Sequence, residues 1–382
     1  MAGLIGFYIL FPALIIYLCS KYSFVDKIGA VLICYIVGAA LGNFMILPDN
    51  ANEIQDSLSS ASVAIALPLL LFSLNVKAWI QMAGKAILSM LGATIIIVAV
   101  AGAGSILIMD YVSDSWKLAG LAIGVYTGGT PNLAAIKTAL DVDSTTYIIM
   151  HTYDTLISLI YIIFSITIAQ KVMNKFLPKF KPSTSLSDAS DMEVEDISSY
   201  GNMLNWPTVK GLLIALVLSL IILGTALGLS GLFPKEYSTV VTILLITTLG
   251  IAASFIPQIQ KIVKTFQLGM YIILIFCLVV GSMARIQDLV NINWVLMFYI
   301  SFCIFGTFIL HAVFCRIMKI DTDTFIITSI SAICSPPFVP MVASALNNKQ
   351  IILSGLTTGI IGYALGNYLG ISFAYLFKAV MG

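Results

Sequence analysis

Long apolar runs alternate with short polar connections from one end of the chain to the other. Twelve apolar segments of 17 to 29 residues can be counted along the 382 residues. Each is long enough to cross a hydrocarbon core of about 30 Å, and backbone amides without a partner in lipid require such segments to be helical. They lie near residues 3–20, 28–46, 60–76, 86–110, 117–140, 145–173, 208–232, 237–258, 263–284, 291–317, 323–346 and 351–379.

Composition supports this reading of the pattern. Hydrophobic residues make up 59% of the chain and charged residues only 10%, whereas soluble proteins carry about 25% charged residues. The sequence therefore predicts an all-α polytopic membrane protein of about 11–12 transmembrane segments, with the lipid bilayer as its surroundings. The net charge is +1 and no basic stretch is interleaved with aromatic residues, which argues against nucleic-acid binding.

The one long polar stretch, residues 174–206, divides the chain into two transmembrane halves, 1–173 and 207–382. It holds lysines followed by an acidic cluster from Asp188 to Asp196, as a flexible linker would. Related runs, ALPLLLFSLNVKAWIQ and MYIILIFCLVVGSMARIQ, precede comparable segments in the two halves. We therefore predict two diverged repeats.

One segment in each half is predicted to be a broken helix. The segment at about 117–140 has Gly128, Gly129 and Pro131 at its centre, and that at about 323–346 has Pro336 and Pro337. Glycine and proline interrupt helices. Paired interruptions at corresponding places predict the binding site of a secondary transporter. The alternative is a pair of proline-kinked helices packed for structure.

The distribution of positive charge conflicts with twelve full crossings. Positive residues tend to stay cytoplasmic, and two groups of them each share one side by segment count. Three segments between Lys85 and Lys171 would place the groups on opposite faces, and inverted repeats also need an odd offset. Both difficulties vanish if one segment after Lys85 and before Met173 fails to cross; otherwise the charge bias carries no information. The first group is Lys21, Lys27, Lys77 and Lys85; the second is Lys175, Lys261, Lys264, Arg316, Lys319 and Lys378.

Asp154 is the most informative single residue, because an ionisable group inside an apolar helix is costly and indicates function. It could bind a cation or carry a proton. His151, three residues earlier, faces the same side of the helix and could relay protons. The alternatives are a carboxylate bonded to a neighbouring hydroxyl or to His151, and a hydrogen-bonded core histidine.

Polar side chains and freed backbone at the two breaks suit an ion or a small solute. Hydroxyl and amide oxygens of this kind are ligands for a hard cation, although small polar residues also cap helix ends. We predict sodium ligands in Asp154, Thr130, Asn132 and Ser335. The candidate binding residues are Tyr126, Thr127, Gly128, Gly129, Thr130, Pro131, Asn132, His151, Asp154, Ser335, Pro336, Pro337 and Asn367, with Ser331 and Ser344 as further hydroxyls near the second break.

In the last segment, Gly362, Gly366 and Gly370 recur every four residues and predict close helix packing. Asn367, beside them, needs a buried partner, for which the bound solute is one candidate. His311 lies among aliphatic residues, which favours a structural role. No catalytic, ATP-binding or dinucleotide motif and no cysteine pair is found, so we expect neither an enzyme nor a bound cofactor.

Five pieces of sequence resemble the YjcL-like family of bacterial and plant membrane proteins, relatives of the bile-acid:sodium symporter and cation:proton antiporter superfamily. They are PLLLF at 68–72, YTGGTPNLAAI at 126–136, the surroundings of Asp154, LGMYIILIF at 268–276 and GIIGYALGNYLG at 359–370. The resemblance implies two crossing broken helices in a core domain that moves against a panel-like or dimerising domain, which leaves a homodimer open.

The same resemblance implies that sodium binds near the crossing, and that in antiporters the acid on the following helix, here Asp154, carries the exchanged ion. Two departures weaken the transfer. Tyr153 stands where those antiporters have Asn or Asp, and SPPFVP at 335–340 replaces a Gly-Pro-Ala-Thr-like stretch.

The leading hypothesis is a sodium- or proton-coupled secondary transporter of a small anionic or zwitterionic organic solute, working by alternating access in a bacterial inner membrane. The first alternative is a monovalent cation:proton antiporter. The second is a membrane receptor or intramembrane enzyme that reuses a transporter core.

Overall fold

The computed structural model describes residues 2–22, 25, 29–44, 47–48, 51–73, 84–180, 200–283 and 293–381. Within these ranges the regular structure is helical and no strand occurs. The main helices are α1 (Ala2–Lys21), α2 (Ala30–Asn43), α3 (Ala51–Phe72), α4 (Gly84–Leu107), α5 (Ser115–Ala139), α6 (Ser144–Phe164, continuing through Ser165–Ala169 and Gln170–Phe176), α7 (Trp206–Ser230), α8 (Ser238–Ser254), α9 (Thr265–Met283), α10 (Trp294–Ile317), α11 (Thr322–Ile333), α12 (Val339–Ala345) and α13 (Ile352–Met381).

Each predicted apolar segment corresponds to one of these helices, the eleventh being divided between α11 and α12. Within the described ranges, eight helices are long and apolar enough to cross a membrane, and α2, α8 and α11 are shorter apolar helices. The all-α polytopic membrane fold is therefore confirmed. Lys27, Lys77 and the linker residues 181–199 lie outside the described residues.

The chain forms two compact units, and each draws on both halves of the sequence. Unit 1 comprises residues 1–73, 137–155 and 199–296, and unit 2 comprises residues 74–136, 156–198 and 297–382. The linker is predicted to divide the chain into two repeats along the sequence. Each compact unit contains residues from both repeats.

Unit 1 is built around the buried helix α9. A Cβ atom at Gly38 of α2 would lie 2.9 Å from the Cα atom of Gly281, so the two backbones are in contact. On another side, Gly269 packs against Leu70 of α3, and Leu69 and Phe72 of α3 join a cluster around Ala215 of α7. Close packing of small residues is the usual source of helix association in lipid.

In unit 2, α5 reverses direction. Gly129 has φ 67° and ψ −162°, outside the helical region. A Cβ atom at Gly370 would contact the Ile136 side chain and lie 2.8 Å from the Gly120 carbonyl oxygen. A continuous helix would separate residues 120 and 136 by about 24 Å. We call this element hairpin 1, with residues 115–128 as its first arm and residues 130–139 as its second.

Helices α11 and α12 form a second reversal, hairpin 2. Ser335 has φ 83° and ψ 156° and is followed by the 3₁₀ turn Pro336–Phe338, which leads into α12. The side-chain amide of Asn348, just beyond α12, donates to the Asp323 carboxylate in the first turn of α11 at 2.9 Å. The hairpin therefore begins and ends at the same level of unit 2.

Corresponding segments of the two halves run in opposite directions in unit 2. Lys85 at the start of α4 and Arg316 at the end of α10 line one cavity, together with Pro178, which follows α6. At the other end, the Lys378 ammonium lies 4.9 Å from the ring centroid of Trp116. Hairpin 1 therefore enters from the Trp116 end and hairpin 2 from the Arg316 end, as in inverted repeats.

Two expectations are corrected by the hairpins. The broken segments do not cross as interrupted helices, because a residue with positive φ starts a second helix that runs back along the first. Lys378 consequently does not share a side with Arg316. The segment that fails to cross between Lys85 and Met173 is hairpin 1, which explains why Lys85 and the residues after α6 meet at one end.

Candidate functional site at the hairpin tips

The tips of the two hairpins meet inside unit 2. A Cβ atom at Gly129 would contact the Ser335 hydroxyl oxygen and lie 3.3 Å from the Ser335 Cβ atom. Each tip has a residue with positive φ followed within two residues by a proline, Pro131 or Pro336. A proline in the first turn of a helix sacrifices no hydrogen bond. The sequence patterns GGTP and SPP thus end one arm and begin the next.

The two tips bring helix ends of both polarities to one place. The second arm of hairpin 2 begins with Pro336 and Pro337, which have no N–H, and the Phe338 N–H donates to the Ser335 carbonyl at 3.3 Å. The end of each first arm presents carbonyl groups without an intrahelical partner, and the start of the second arm of hairpin 1 presents free N–H groups. These ends carry partial negative and partial positive charge, respectively. Irregular backbone at membrane depth is tolerated only where it is buried in protein or lines a cavity.

Asn132, in the first turn of the second arm of hairpin 1, is the most distinctive side chain at the tips. It is fully buried, and its amide donates to the Gly362 carbonyl at 3.1 Å. Its own carbonyl oxygen, Oδ1, has no hydrogen-bond partner among the described residues. A buried polar atom without a partner is costly and calls for an explanation such as a bound ligand or ion.

The other predicted residues at the tips divide into buried and partly exposed ones. The Thr127 hydroxyl donates to the Ile123 carbonyl at 2.7 Å, so it is already used within the first arm. Tyr126 is buried, whereas Thr130 and Ser335 are half-buried. Gly128 lies beside Asn132 and the Gly362 carbonyl oxygen of α13, and Pro336 lies against Gly359 of the same helix. The side chains of Pro337 and Ser344 lie outside the described residues.

Helix α13 packs along both hairpins through its glycines, as the sequence spacing predicts. A Cβ atom at Gly362 would contact the Thr127 carbonyl oxygen, and one at Gly366 would lie against Asn132. Toward hairpin 2, a Cβ atom at Gly359 would lie 2.5 Å from the Ser331 hydroxyl oxygen. Asn367 is fully buried on the same helix.

Asp154 and His151 form a second polar group, which belongs to unit 1. Both are buried, and the Asp154 carboxylate lies 3.7 Å from Nδ1 of His151. Aromatic rings surround the histidine, with the Tyr35 ring centroid 5.2 Å away, and the Tyr35 and Tyr147 hydroxyls are 2.9 Å apart. The predicted site residues therefore occur as two groups, one in each unit.

Sequence reasoning missed two polar networks in unit 2. The Ser89 hydroxyl lies 3.0 Å from Nε2 of His311 and 2.7 Å from the Thr328 hydroxyl, so His311 is hydrogen-bonded rather than surrounded only by aliphatic side chains. The Asp323 carboxylate accepts hydrogen bonds from Gln170 and Asn348, both at 2.9 Å. Isolated polar residues in separate segments gave no signal that they would meet.

The described residues contain no group of three or more His, Cys, Asp and Glu side chains that could hold a metal ion. The predicted sodium ligands in unit 2 are instead hydroxyl and amide oxygens close to helix ends. Such oxygens, together with backbone carbonyls, are suitable ligands for a monovalent cation.

The fold and the tips define a polytopic α-helical membrane protein with two opposed re-entrant hairpins. The chain belongs to the family described as "Protein of unknown function (DUF819)", whose model matches residues 6–380. It is also similar to "Uncharacterized membrane protein YjcL" of Bacillus subtilis (strain 168), at 18% identity over 376 residues that cover 96% of this chain and 94% of that protein. The predicted resemblance to a YjcL-like membrane family is thus supported; the wider relation to symporters and antiporters depends on the sequence resemblance alone.

Proposed function

We propose that this protein is a secondary active transporter that moves a small anionic or zwitterionic organic solute, coupled to sodium or protons, by alternating access. The observation that carries the proposal is the meeting of two re-entrant hairpin tips at Gly129 and Ser335. A helix that only anchors a protein has no need of non-helical backbone at membrane depth. Paired interruptions in opposed repeats are instead the usual construction of a transport site.

The tips favour a solute with a carboxylate. The segments 126–132 and 334–338 contain no charged side chain, so charge at this site would be recognised by backbone and polar groups. The second arm of hairpin 1 offers free backbone N–H groups at Thr130 and Asn132, on either side of Pro131, with the partial positive charge of a helix start. A single carboxylate, whether or not the solute also carries an amine, suits this arrangement.

A coupling cation would use the opposite polarity of the same tips. The Asn132 carbonyl oxygen has no partner among the described residues, and the hydroxyls of Thr130 and Ser335 lie on the two tips. The carbonyl ends of the first arms supply further oxygen ligands. Asp154, in unit 1, is the second candidate for coupling, with a proton or sodium as the coupled ion.

Unit 2 holds both tips, so we infer that it is the body that carries the solute. Its end at Lys85, Lys179, Arg316 and Lys319 is the more basic one, which favours a cytoplasmic position for that end. We therefore propose a transporter in a bacterial inner membrane rather than an enzyme. It would need no cofactor besides the coupling ion. We also propose a homodimer, because the sequence resemblance to symporters and antiporters implies a panel-like or dimerising domain.

Transport can be tested with the purified protein in liposomes. We expect uptake of at least one small carboxylate from a broad panel, driven by an inward sodium or proton gradient and lost when the gradient is dissipated. Asn132→Ala should abolish this uptake. Gly228→Ala is the matched control, because a Cβ atom there meets no other atom within 4 Å. An absence of gradient-driven flux for every solute would overturn the proposal.

The buried pair of Asp154 and His151 favours a second candidate function, monovalent cation:proton antiport. In that case a sodium gradient should drive proton movement without any organic solute, and Asp154→Asn should abolish it. Asp114→Asn is the control, because the Asp114 side chain is mostly exposed. No sodium-driven proton movement in the original protein would remove this candidate, and movement that survives Asp154→Asn would exclude Asp154 as the carrier.

A further inference from the structure

A large basic cavity lies at one end of unit 2, at the opposite end of hairpin 2 from its tip. Its volume is about 830 Å³, within the range of about 300–1,000 Å³ typical of small-molecule sites. Four basic side chains line it, Lys85, Lys179, Arg316 and Lys319, against one acidic side chain, Asp321. The cavity is separate in sequence and position from Gly129 and Ser335.

The positive charge of this cavity is offset only in part by the described residues. Among the described residues, no carboxylate lies within 4.0 Å of any of the four basic groups. The charge of Asp321 offsets one of the four positive charges at most, and its two carboxylate oxygens accept hydrogen bonds from the backbone N–H and the hydroxyl of Thr324, both at 2.9 Å. Asp321 therefore acts as the N-cap of α11.

The basic side chains are brought together from separate elements that are fixed in place. Lys179 follows Pro178, whose carbonyl accepts hydrogen bonds from the backbone N–H of Thr322 at 2.9 Å and from its hydroxyl at 3.3 Å. Lys319 has φ 55° at the end of α10, where the Ile320 N–H reaches the Cys315 carbonyl at 2.9 Å. Glycine is the usual residue at such a position, so a lysine there keeps a charge at the cost of backbone strain.

We propose that this cavity is a binding site for a phosphate-bearing anion. Arginine matches phosphate oxygens with two parallel N–H donors, and the lysines add point charges around it. Two sources share this chemistry, a soluble phosphate compound and the headgroup of an anionic phospholipid. Basic pockets between membrane helices on the cytoplasmic side are typical sites for such headgroups.

A general preference of cytoplasmic ends for positive residues does not by itself account for this arrangement. That preference concerns the side of the membrane on which lysines and arginines lie, and it would be satisfied equally by charges dispersed over the surface. Here four basic side chains line one concave volume, and the acidic residue beside them, Asp321, caps the start of α11.

The test uses the full-length protein, purified and delipidated in an uncharged detergent. Melting temperature is measured with added pyrophosphate, with chloride at equal ionic strength, and with phosphatidylglycerol or phosphatidylcholine. We expect pyrophosphate or phosphatidylglycerol to raise the melting temperature, since a ligand of the folded state stabilises it. Stabilisation by pyrophosphate alone identifies a soluble ligand, and stabilisation by phosphatidylglycerol alone identifies a lipid.

The double variant Arg316→Gln/Lys319→Gln should bind the effective anion at least about tenfold more weakly, because hydrogen bonds to charged groups are lost. The matched control is Lys117→Gln/Lys378→Gln, which removes two charges from the Trp116 end of the same unit. If the double variant does not fold, Lys85→Gln, at an exposed side chain of the cavity, provides the comparison. No stabilisation by either anion, or equal loss in the control, would overturn the proposal.

Discussion

The two hairpins make the same reversal with different residues at their tips. Gly129 and Ser335 both have a positive φ and an extended ψ, a region that is almost restricted to glycine. They face each other so closely that a Cβ atom on Gly129 would contact the Ser335 hydroxyl. Only one of the two positions therefore has room for a side chain, and that side chain carries a hydroxyl.

The hairpins also differ in how they contact α13. Hairpin 1 meets this helix through the Asn132 and Ile136 side chains and also through backbone atoms, because Gly362 and Gly370 lie against the carbonyl oxygens of Thr127 and Gly120. Hairpin 2 meets it through side chains, since Gly355 lies against Val339 and Ile327. Backbone contacts cannot relax by rotamer changes, whereas side chains can. The backbone contacts of hairpin 1 at Gly362 and Gly370 therefore have less freedom to adjust to an added methyl group.

The largest expected effect is that of Gly129→Ala. Backbone strain of about 1–3 kcal/mol adds to overpacking of about 1–3 kcal/mol where the new methyl group meets Ser335. We expect a large fall in melting temperature in detergent and loss of solute uptake in liposomes. In the double variant Gly129→Ala/Ser335→Gly the steric part should be relieved. A double variant no more stable than Gly129→Ala would show that the two tips do not compete for space.

The difference in packing against α13 can be tested with two alanine substitutions. Gly362→Ala places a methyl group against a backbone oxygen and should lower the free energy of unfolding by about 1–3 kcal/mol. Gly355→Ala should cost less, because Val339 and Ile327 can adjust their side chains. Thermal unfolding of both, beside the unhindered Gly228→Ala, measures the difference. Equal costs at Gly362 and Gly355 would contradict the contrast between the hairpins.

Ser335→Gly should stabilise the protein while harming its function. Removal of the side chain relieves strain of about 1–3 kcal/mol, partly offset by the entropy of a new glycine, about 0.5–1 kcal/mol. The net gain is expected as a rise in melting temperature of a few degrees. If Ser335 binds the solute or its coupling ion, uptake should fall in the same variant. A lower melting temperature would contradict the backbone strain, and unchanged uptake would mean that the serine is not kept for binding.

The apolar segments and their breaks could be predicted from the sequence, but the reversal of chain direction at each break could not. Helix lengths follow from apolar runs, and the breaks follow from Gly129 and from the prolines after Ser335. Whether a chain continues or turns back after a break depends on the values of φ and ψ at one residue, and both outcomes use glycine and proline. The charge pattern gave the only hint, since Lys85 and Lys175 agree in side only if one segment does not cross.

The polar networks could not be predicted for a different reason. Ser89, His311 and Thr328 belong to three helices that are far apart in the sequence, and periodicity reports which face of a helix is polar without naming its partner. The glycine spacing in α13 was more informative, because Gly362, Gly366 and Gly370 share one face. Asp154 was identified correctly as buried, while its role in coupling stays a prediction.

The smallest expected effect on stability concerns two similar hydrogen bonds, each from a hairpin side chain to a backbone carbonyl of α13. Asn132 of hairpin 1 donates to the Gly362 carbonyl at 3.1 Å, and Ser331 of hairpin 2 donates to the Gly355 carbonyl at 2.5 Å. Both residues are buried. Loss of either bond should cost about 0.5–1.5 kcal/mol, with a further contribution from the larger space left by Asn132→Ala.

Function should separate the two where stability does not. Asn132 retains a carbonyl oxygen without a partner among the described residues, whereas the Ser331 hydroxyl already donates its proton to the Gly355 carbonyl. We therefore expect Asn132→Ala to abolish uptake and Ser331→Ala to leave it within about twofold of the original, both in liposomes at matched protein content. If the two variants impair uptake equally, the spare oxygen of Asn132 has no special part in binding, and the hydrogen bonds to α13 act only by holding the hairpins in place.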